Sequence, residues 1–514
     1  MGQGMRRRLL VGLMAFVCLS AVAPARADEA IPLALVIAHT QIEGHPALAM
    51  SLTFQGGAGG ETIVHLPDTW ASEKDLWRGI QDLRAENASL LAPKREPQTE
   101  VLHHAPSARV RLSWKVIQDY SGEPNFADTK SLFRPTVNEH FVVAAMQTIL
   151  PSLEVGSGRI LGLDPHPRAS APLFCNVTIA FEGFPKEWAF ATAFGAKPKQ
   201  AADAIQCDAL WDSNVALGDF RVHEIKDAHG IVRLAVRGHW ALSDDALLAK
   251  FAGARSAAAD AFRDPGPAQV LVSLAATAPL KSGQAVFGTA FSNGFFGFAT
   301  PGASLASLKV WWNHEQVHYW IPNRLGQPQD GAEAALAWFN EGFTDYFSLM
   351  NAYRTHELDA KALAQEINTR IIAGYLKSPV REAPNAKIVE GFWSERPLQE
   401  LPYQRGALLA LNWNAEIKKA SNDQHALADL IADLIDQARQ NPNVVLTPSR
   451  IAEAARTLGV VNPAGDIATY IDAGRLLAPR DDIFGPCTRY DATKGALVLD
   501  GDGWTQPACT AWLK

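Results

Sequence analysis

The spacing of apolar residues changes along this chain from the period of strands to the period of helices, and this change limits the possible folds. Residues 28–265 contain short alternating or β-branched runs, separated by Gly, Pro, Asn and Asp. After Pro301 and Gly302 the apolar residues recur at helical intervals. The pattern predicts a multidomain α+β protein in which a β-rich part precedes a helical part.

The predicted strands of the first part have the spacing of two or more packed antiparallel sheets. They are Leu33–Ala38, Leu48–Phe54, Thr62–Leu66, Ala108–Val116, Val177–Phe181 and Val232–Val236. A helix is predicted over Ser243–Arg263, because Ser243 can cap it and Asp244 and Asp245 fall in its first turn. Pro and Gly at 265–267 then indicate a domain boundary.

The second part begins with predicted strands and continues in helices. The strands are Gln269–Ala275 and Ala285–Phe291, and the helices are Ser304–Trp320, Ala332–Tyr353, Arg405–Lys418 and His425–Arg439. Residues 481–514 are rich in Gly, Asp and Pro, which indicates a small appendage. A chain of 514 residues is too long for one ordinary core, so several domains are expected.

The composition restricts the possible partners. The net charge of -7 includes no basic excess, so no nucleic-acid partner is expected. Apolar residues make up 47% and charged residues 20% of the chain, as in ordinary globular proteins. These values exclude disorder over most of the length.

The N-terminal residues have the pattern of a secretory signal peptide. Three arginines at 6–8 precede an apolar run over 9–22, which is too short to span a bilayer comfortably. Residues 25–27, Ala-Arg-Ala, supply the small residues of a cleavage site. We therefore expect residues 1–27 to be removed, leaving a periplasmic or secreted protein with no stable membrane span. A retained signal anchor is the alternative.

The cysteines outside this segment are even in number, which fits an oxidising compartment if they pair. Cys175, Cys207, Cys487 and Cys509 allow three pairings, and the sequence alone does not choose among them. Their separations favour Cys175–Cys207 and Cys487–Cys509, and the second bridge would hold the appendage at 481–514. Four buried thiols are the alternative.

Residues 311–318, Trp-Trp-Asn-His-Glu-Gln-Val-His, contain the pattern H-E-x-x-H on a predicted helix. Residues four apart share a helix face, so His314 and His318 can bind one metal ion. Zinc suits two imidazoles and a carboxylate, and a catalytic site keeps its fourth position for water. Glu315 projects beside that position, where a general base for the water is needed. The alternative is a pair of partly buried histidines on an amphipathic helix.

A second predicted helix supplies a carboxylate for the same site. Glu341 follows His318 after 22 residues, which is enough for a turn and an antiparallel helix. Asp345 lies four residues further on the same face and can accept the outer N–H of a zinc-bound imidazole. Both carboxylates interrupt the apolar run WFNEGFTDYF, which does not suit solvated side chains. We therefore predict one Zn²⁺ held by His314, His318 and Glu341.

These paired motifs resemble those of thermolysin-like zinc peptidases that use a glutamate as third ligand. More closely, HEQVHYWIPNR followed by LAWFNEGFTDYF is similar to the glycyl aminopeptidase family, whose members often carry a C-terminal PDZ domain. Upstream, LWDSNVALGDF and the predicted helix ALLAKFAGARSAAADAF resemble the end of that family's N-terminal domain. The resemblance covers roughly residues 170–420 and implies hydrolysis of peptide bonds.

The resemblance also implies a domain order. A β-rich N-terminal sandwich domain would occupy residues 28–265, and a thermolysin-like α+β zinc catalytic domain would occupy 266–375. A helical C-terminal domain would follow at 376–480, before the disulfide-held appendage at 481–514.

The same resemblance implies functions for individual residues. It implies that Glu315 is the general base and that Asp345 and Asn340 support the metal ligands. Residues 402–407, Pro-Tyr-Gln-Arg-Gly-Ala, are similar to the tyrosine motif of the aminopeptidase N family. Tyr403 would then donate a hydrogen bond to the oxyanion of the tetrahedral intermediate. An ordinary half-buried tyrosine is the alternative.

Two features of the sequence depart from the family. In related aminopeptidases a strand before the zinc helix carries a glutamate that binds the free amine of the substrate. The corresponding residues 293–300, Asn-Gly-Phe-Phe-Gly-Phe-Ala-Thr, contain no acid. Nothing after residue 420 has the pattern of a PDZ domain.

The sequence therefore predicts an exported, aminopeptidase-like zinc metallopeptidase that acts on peptides or unfolded protein. The missing glutamate leaves an endopeptidase without free-amine recognition as an alternative. A non-catalytic peptide-binding protein derived from a peptidase is another, although the retained Glu315 argues against it. A β-rich adhesive or scaffold module is the third.

Overall fold

The computed structural model describes residues 30–71, 73–91, 98–156, 158–162, 173–327, 333–483, 485 and 488–499. The predicted signal peptide, Cys487 and Cys509 lie outside the described residues. Within the described part of the chain, no helix is long and apolar enough to cross a membrane.

The first part of the chain is built mainly of strands, as the alternating pattern predicts. The strands are β1 (Ile31–Ile42), β2 (His45–Gln55), β3 (Glu61–His65), β4 (Ile80–Glu86), β5 (Ala88–Leu91), β6 (Thr99–His104), β7 (Arg109–Ile117), β8 (Thr136–Val137), β9 (Phe141–Ala145), β10 (Ser152–Val155), β11 (Gly158–Leu161), β12 (Phe174–Glu182), β13 (Ala189–Thr192), β14 (Lys199–Gln206), β15 (Asn214–Gly218), β16 (Arg221–Asp227) and β17 (Gly230–Arg237). Short helices α1 (Lys130–Phe133) and α2 (Asp208–Trp211) interrupt them.

The largest sheet of this part has the strand order β14-β12-β1-β2-β7-β4. Its inward residues alternate with outward ones, so that Leu33, Leu35 and Ile37 on β1 are buried. The sheet is mixed rather than purely antiparallel, because β1 pairs with β12 in parallel. The long chain segment between these two strands allows the crossover that a parallel pair needs. A disulfide joins Cys175 on β12 to Cys207 beyond β14, one of the two bridges that the spacing favours.

The second part continues with a helix, three strands, a run of further helices and a two-stranded hairpin. These elements are α3 (Asp244–Phe262), β18 (Gln269–Ala276), β19 (Val286–Phe291), β20 (Gly294–Ala299), α4 (Leu305–Val317), α5 (Ala337–Asn340), α6 (Gly342–Arg354), α7 (Ala360–Glu366), α8 (Ala373–Lys377), α9 (Asn385–Gly391), α10 (Arg396–Ala420), α11 (Leu427–Gln440), α12 (Pro448–Thr457), α13 (Pro463–Asp466), β21 (Thr488–Asp491) and β22 (Ala496–Leu499). A π-helical turn over Ile367–Ile372 joins α7 to α8.

A five-stranded sheet with the order β16-β17-β18-β20-β19 connects the two parts. Helix α3 packs on it, and its predicted cap is confirmed because the Ser243 side chain accepts a hydrogen bond from the Ala246 amide. The predicted boundary after residue 265 falls within this sheet, between β17 and β18, and the domain limits remain predictions. Strand β19 forms one edge of the sheet and lies beside α4.

The helix predicted over Ala332–Tyr353 is divided in the structure. Residues 333–336 form turns, α5 ends at Asn340, and α6 begins at Gly342. Glu341, between the two helices, keeps right-handed helical dihedral angles, with φ of -96° and ψ of -44°. The break is therefore local, and the apolar spacing that runs through it gives no sign of it in the sequence.

Candidate active site

Helix α4 and the junction of α5 with α6 bring three metal-binding side chains together. The Nε2 atoms of His314 and His318 are 3.1 Å apart. Glu341 Oε2 lies 3.2 Å from His314 Nε2 and 3.4 Å from His318 Nε2. One ligand atom from each side chain lies within 4.8 Å of the other two, which is the geometry of a metal site.

The outer nitrogens of both imidazoles have partners that fix the tautomers. His318 Nδ1 lies 2.8 Å from the Ile321 carbonyl oxygen, which can only accept, so this nitrogen carries the proton. His314 Nδ1 lies 2.9 Å from Asp345 Oδ1 and donates to it in the same way. The two Nε2 lone pairs and the Glu341 carboxylate therefore face one point. Three converging acceptors require a cation, so these residues fit a metal ion.

The opposite charges of the histidines and carboxylates at this site shift one another's pKa values. Burial lowers the pKa of His314, but Asp345 and Glu341 outweigh burial and raise that pKa to about 10. Burial likewise raises the pKa of Glu341, but His318 and His314 prevail and hold it well below its usual range. The carboxylates therefore favour positive charge at the point where the three ligands converge.

Glu315 lies beside the three ligands and is 7% exposed. Burial raises the pKa of its carboxyl, and the two histidines oppose this effect. A β-carbon on Gly288 of β19 would lie 2.8 Å from Glu315 Oε1 and would collide with Trp311. Gly297, which pairs with Gly288 across the strands, leaves room for the same indole ring. Two glycines thus let α4 and Glu315 approach the edge of the sheet.

Tyr403 reaches the site from α10. Its ring stacks on the His314 imidazole, with centroids 5.8 Å apart and planes 18° from parallel. Burial, together with the nearby Glu341 and Asp345, raises the pKa of the Tyr403 phenol well above its usual value. The hydroxyl therefore stays protonated and can serve as a hydrogen-bond donor. Pro402, the preceding residue, lies inside the helix and removes one main-chain hydrogen bond there.

Two other expectations from the sequence have different outcomes. Asn340 precedes Glu341, but its Oδ1 has no hydrogen-bond partner among the described residues, so its supporting role remains a prediction. Residues 293–300 are not the strand beside Glu315, because β20 lies one strand further into the sheet. The neighbour of Glu315 is β19, Val-Phe-Gly-Thr-Ala-Phe, and it contains no acid either.

A buried polar network behind the metal helix was not anticipated from the sequence. Glu357 accepts hydrogen bonds from Trp312 Nε1 at 3.1 Å, Asn313 Nδ2 at 3.0 Å and Lys250 Nζ at 2.9 Å. Asn351 on α6 donates to Asn313 Oδ1 at 2.7 Å. The network links α3, α4 and α6 directly behind His314. No local signal marks it, because its members are far apart in the sequence.

Comparison of the whole chain with solved structures identifies its fold. An aminopeptidase N family protein from Idiomarina loihiensis superposes with a TM-score of 0.66 at 14% identity, over 87% of this chain and 77% of that one. An M1 zinc metallopeptidase from Deinococcus radiodurans gives 0.52 at 13% identity, over 88% and 95%. A mutant two-domain M1 zinc metallopeptidase bound to L-tryptophan gives 0.51 at 13% identity, over the same shares.

The chain therefore has the fold of the M1 zinc metallopeptidases, with β-rich N-terminal sheets and a helical C-terminal part. The sequence itself matches no protein-family model. It also matches none of the curated proteins.

Proposed function

We propose that this protein is a zinc-dependent metallopeptidase with aminopeptidase-like hydrolase activity. The convergence of His314, His318 and Glu341 on one cation position, beside the buried Glu315, carries the proposal. The fold supports it, because the similar structures are described as zinc metallopeptidases and an aminopeptidase N family protein. We assign zinc because two imidazoles and one carboxylate, with a fourth position for water, suit that metal.

The chain's own residues supply the acid and base steps of peptide hydrolysis. Zinc, when bound, lowers the pKa of a coordinated water towards ~7 and polarises a carbonyl oxygen. Glu315 takes a proton from the attacking water and returns it to the leaving nitrogen. The pKa of this carboxyl is raised by burial, which suits a group that both accepts and releases a proton. Tyr403 donates a hydrogen bond to the oxyanion as negative charge develops.

We propose peptides or unfolded protein as substrates, in the periplasm or outside the cell. The export pattern at residues 1–27 and the disulfide at Cys175–Cys207 support this location. An endopeptidase is the second candidate, because neither β19 nor residues 293–300 offers an acid for a free amine.

The test measures the metal content and the peptide-cleaving activity of two proteins, the wild type and the Glu315→Gln variant. We expect about one zinc per chain by elemental analysis in both proteins. Cleavage of a peptide library should fall about 10²–10⁴-fold in Glu315→Gln, because the substitution removes the base and keeps the shape. Glu453→Gln is the control, since this 63% exposed glutamate lies on α12 and forms an ion pair with Arg456 on the same helix.

Peptides with free and acetylated N-termini separate the candidates. Dependence on a free amine supports an aminopeptidase, and equal cleavage of acetylated peptides supports the endopeptidase. Zinc without any cleavage would favour the peptide-binding protein, and a wild type that binds no zinc would overturn the proposal.

A further inference from the structure

A buried carboxylate, Glu357, attaches helix α4 to the far end of α6. Glu357 follows α6 in the chain, and its side chain is only 5% exposed. Its Oε2 accepts hydrogen bonds from Trp312 Nε1 at 3.1 Å and from Asn313 Nδ2 at 3.0 Å. Its Oε1 lies 2.9 Å from Lys250 Nζ on α3. One carboxylate thus binds donors of two other helices, and two of these donors belong to the residues that precede His314.

Polar contacts join α4 and α6 at successive levels. Glu341, immediately before α6, lies 3.2 Å from His314 Nε2. One residue earlier on α4, Asn313 Oδ1 accepts from Asn351 Nδ2 of α6 at 2.7 Å. Glu357 continues the series beyond the end of α6. The helices are therefore antiparallel, and the metal ligands and Glu357 hold the same pair of helices at opposite ends of α6.

This attachment opposes a rotation of α4 about its own axis. The tip of a helical side chain lies about 5–6 Å from the axis, so a rotation of about 10° would move an imidazole nitrogen by about 1 Å. Metal–ligand distances tolerate changes of only about 0.2 Å. Trp312 and Asn313 are fully buried, so loss of their acceptor would leave two donors unpaired in the core and would favour such a movement.

We propose that Glu357 is a positioning residue, which raises the zinc affinity of the site by fixing the orientation of α4. The inference rests on the proposed zinc-dependent function and adds a residue that is not itself a metal ligand. Filling space would not require a charged group here, because burying a carboxylate is costly and an apolar side chain of similar size would pack as well. A buried charge with three directed partners instead selects one orientation of the helices that it joins.

The experiment compares zinc affinity of the wild type and the Glu357→Gln variant by competition with a chromogenic chelator. The amide keeps the shape of the carboxylate, but its NH₂ group must face either the donors of α4 or the Lys250 ammonium. We expect zinc to bind about 10-fold more weakly, as when a partner that orients a metal ligand is lost. Trp312→Phe is a milder second variant, which removes one donor and should change the affinity in the same direction by a smaller factor.

Denaturant unfolding with EDTA and with added zinc separates positioning from general stabilisation. The stability gained on adding zinc depends on the ratio of its concentration to its dissociation constant, so this gain should be smaller in Glu357→Gln than in the wild type. A residue that only stabilised the fold would lower stability equally in both conditions and leave the gain unchanged.

Asp466→Asn is the matched control, because Asp466 on α13 likewise accepts from an indole, Trp413 Nε1 of α10, at 2.9 Å. It should bind zinc as tightly as the wild type, even where it unfolds more easily. Equal zinc affinity of Glu357→Gln and the wild type would overturn the positioning role and leave the proposed peptidase intact. So would an equal loss of affinity in Asp466→Asn. A wild type that binds no zinc would instead defeat the proposed function, and the positioning role with it.

Discussion

Gly342 and Gly406 touch where α6 crosses α10: a β-carbon on Gly342 would lie 2.5 Å from the α-carbon of Gly406. A β-carbon on Gly406 would overlap the carbonyl oxygen of Trp338. Because both obstacles are backbone atoms, neither can move aside cheaply. This close crossing brings Tyr403, three residues before Gly406, to the helices that carry Glu341 and Asp345.

Gly406→Ala should therefore lower the free energy of unfolding by about 1–3 kcal/mol and reduce cleavage as Tyr403 shifts. Denaturant unfolding and kcat for a good peptide substrate measure the two effects. Gly253→Ala on α3 is the control, because a β-carbon there meets nothing within 4 Å. Equal stability of the Gly406 variant and wild type would contradict this packing.

Tyr403→Phe should lower kcat about 10²–10³-fold and change KM little, because an oxyanion donor acts mainly in the transition state. The phenyl ring can keep its stacking on His314. Zinc content should accordingly equal that of wild type. A variant with normal kcat would assign Tyr403 a packing role only.

Asp345→Asn should weaken zinc binding about 10–100-fold, because it removes the charge that orients the His314 imidazole. The amide can also present its NH₂ group to His314 Nδ1 and so favour the wrong tautomer. Competition with a chromogenic chelator measures the affinity. Unchanged affinity would mean that the 2.9 Å contact does not support the metal.

The contact between Asp212 and the β19–β20 turn should make the stability of the protein depend on pH. Its Oδ2 accepts from the Ser292 amide at 2.8 Å, in the turn between β19 and β20. Burial raises the pKa of this carboxyl to about 6. A native pKa above the unfolded value gives stability that is full below about pH 4 and is lost as pH rises through about 6.

Asp212→Asn should remove this loss, so the variant should gain about 2 kcal/mol relative to wild type between pH 4.5 and 7. Urea unfolding at several pH values measures the difference. Parallel pH profiles of the two proteins would show that Asp212 titrates in its ordinary range.

The sequence by itself determined the local elements of this protein. The alternation of apolar residues located all six strands predicted for the first part, and the capping residue Ser243 located the start of α3. The spacing of His314 and His318 placed both imidazoles on one helix face, because a helix turn is a local property. Glu341 and Asp345 were recognisable because charged side chains are costly inside an apolar run.

Only the tertiary structure decided which distant segments meet. The parallel pairing of β1 with β12, the position of β19 beside Glu315 and the approach of Arg370 to Asp345 are contacts of this kind. They depend on hydrogen bonds and packing between residues far apart in the chain, and periodicity within a segment carries no information about its partner. The glycine crossing that positions Tyr403 is of the same kind, since a glycine in a sequence does not show which backbone approaches it.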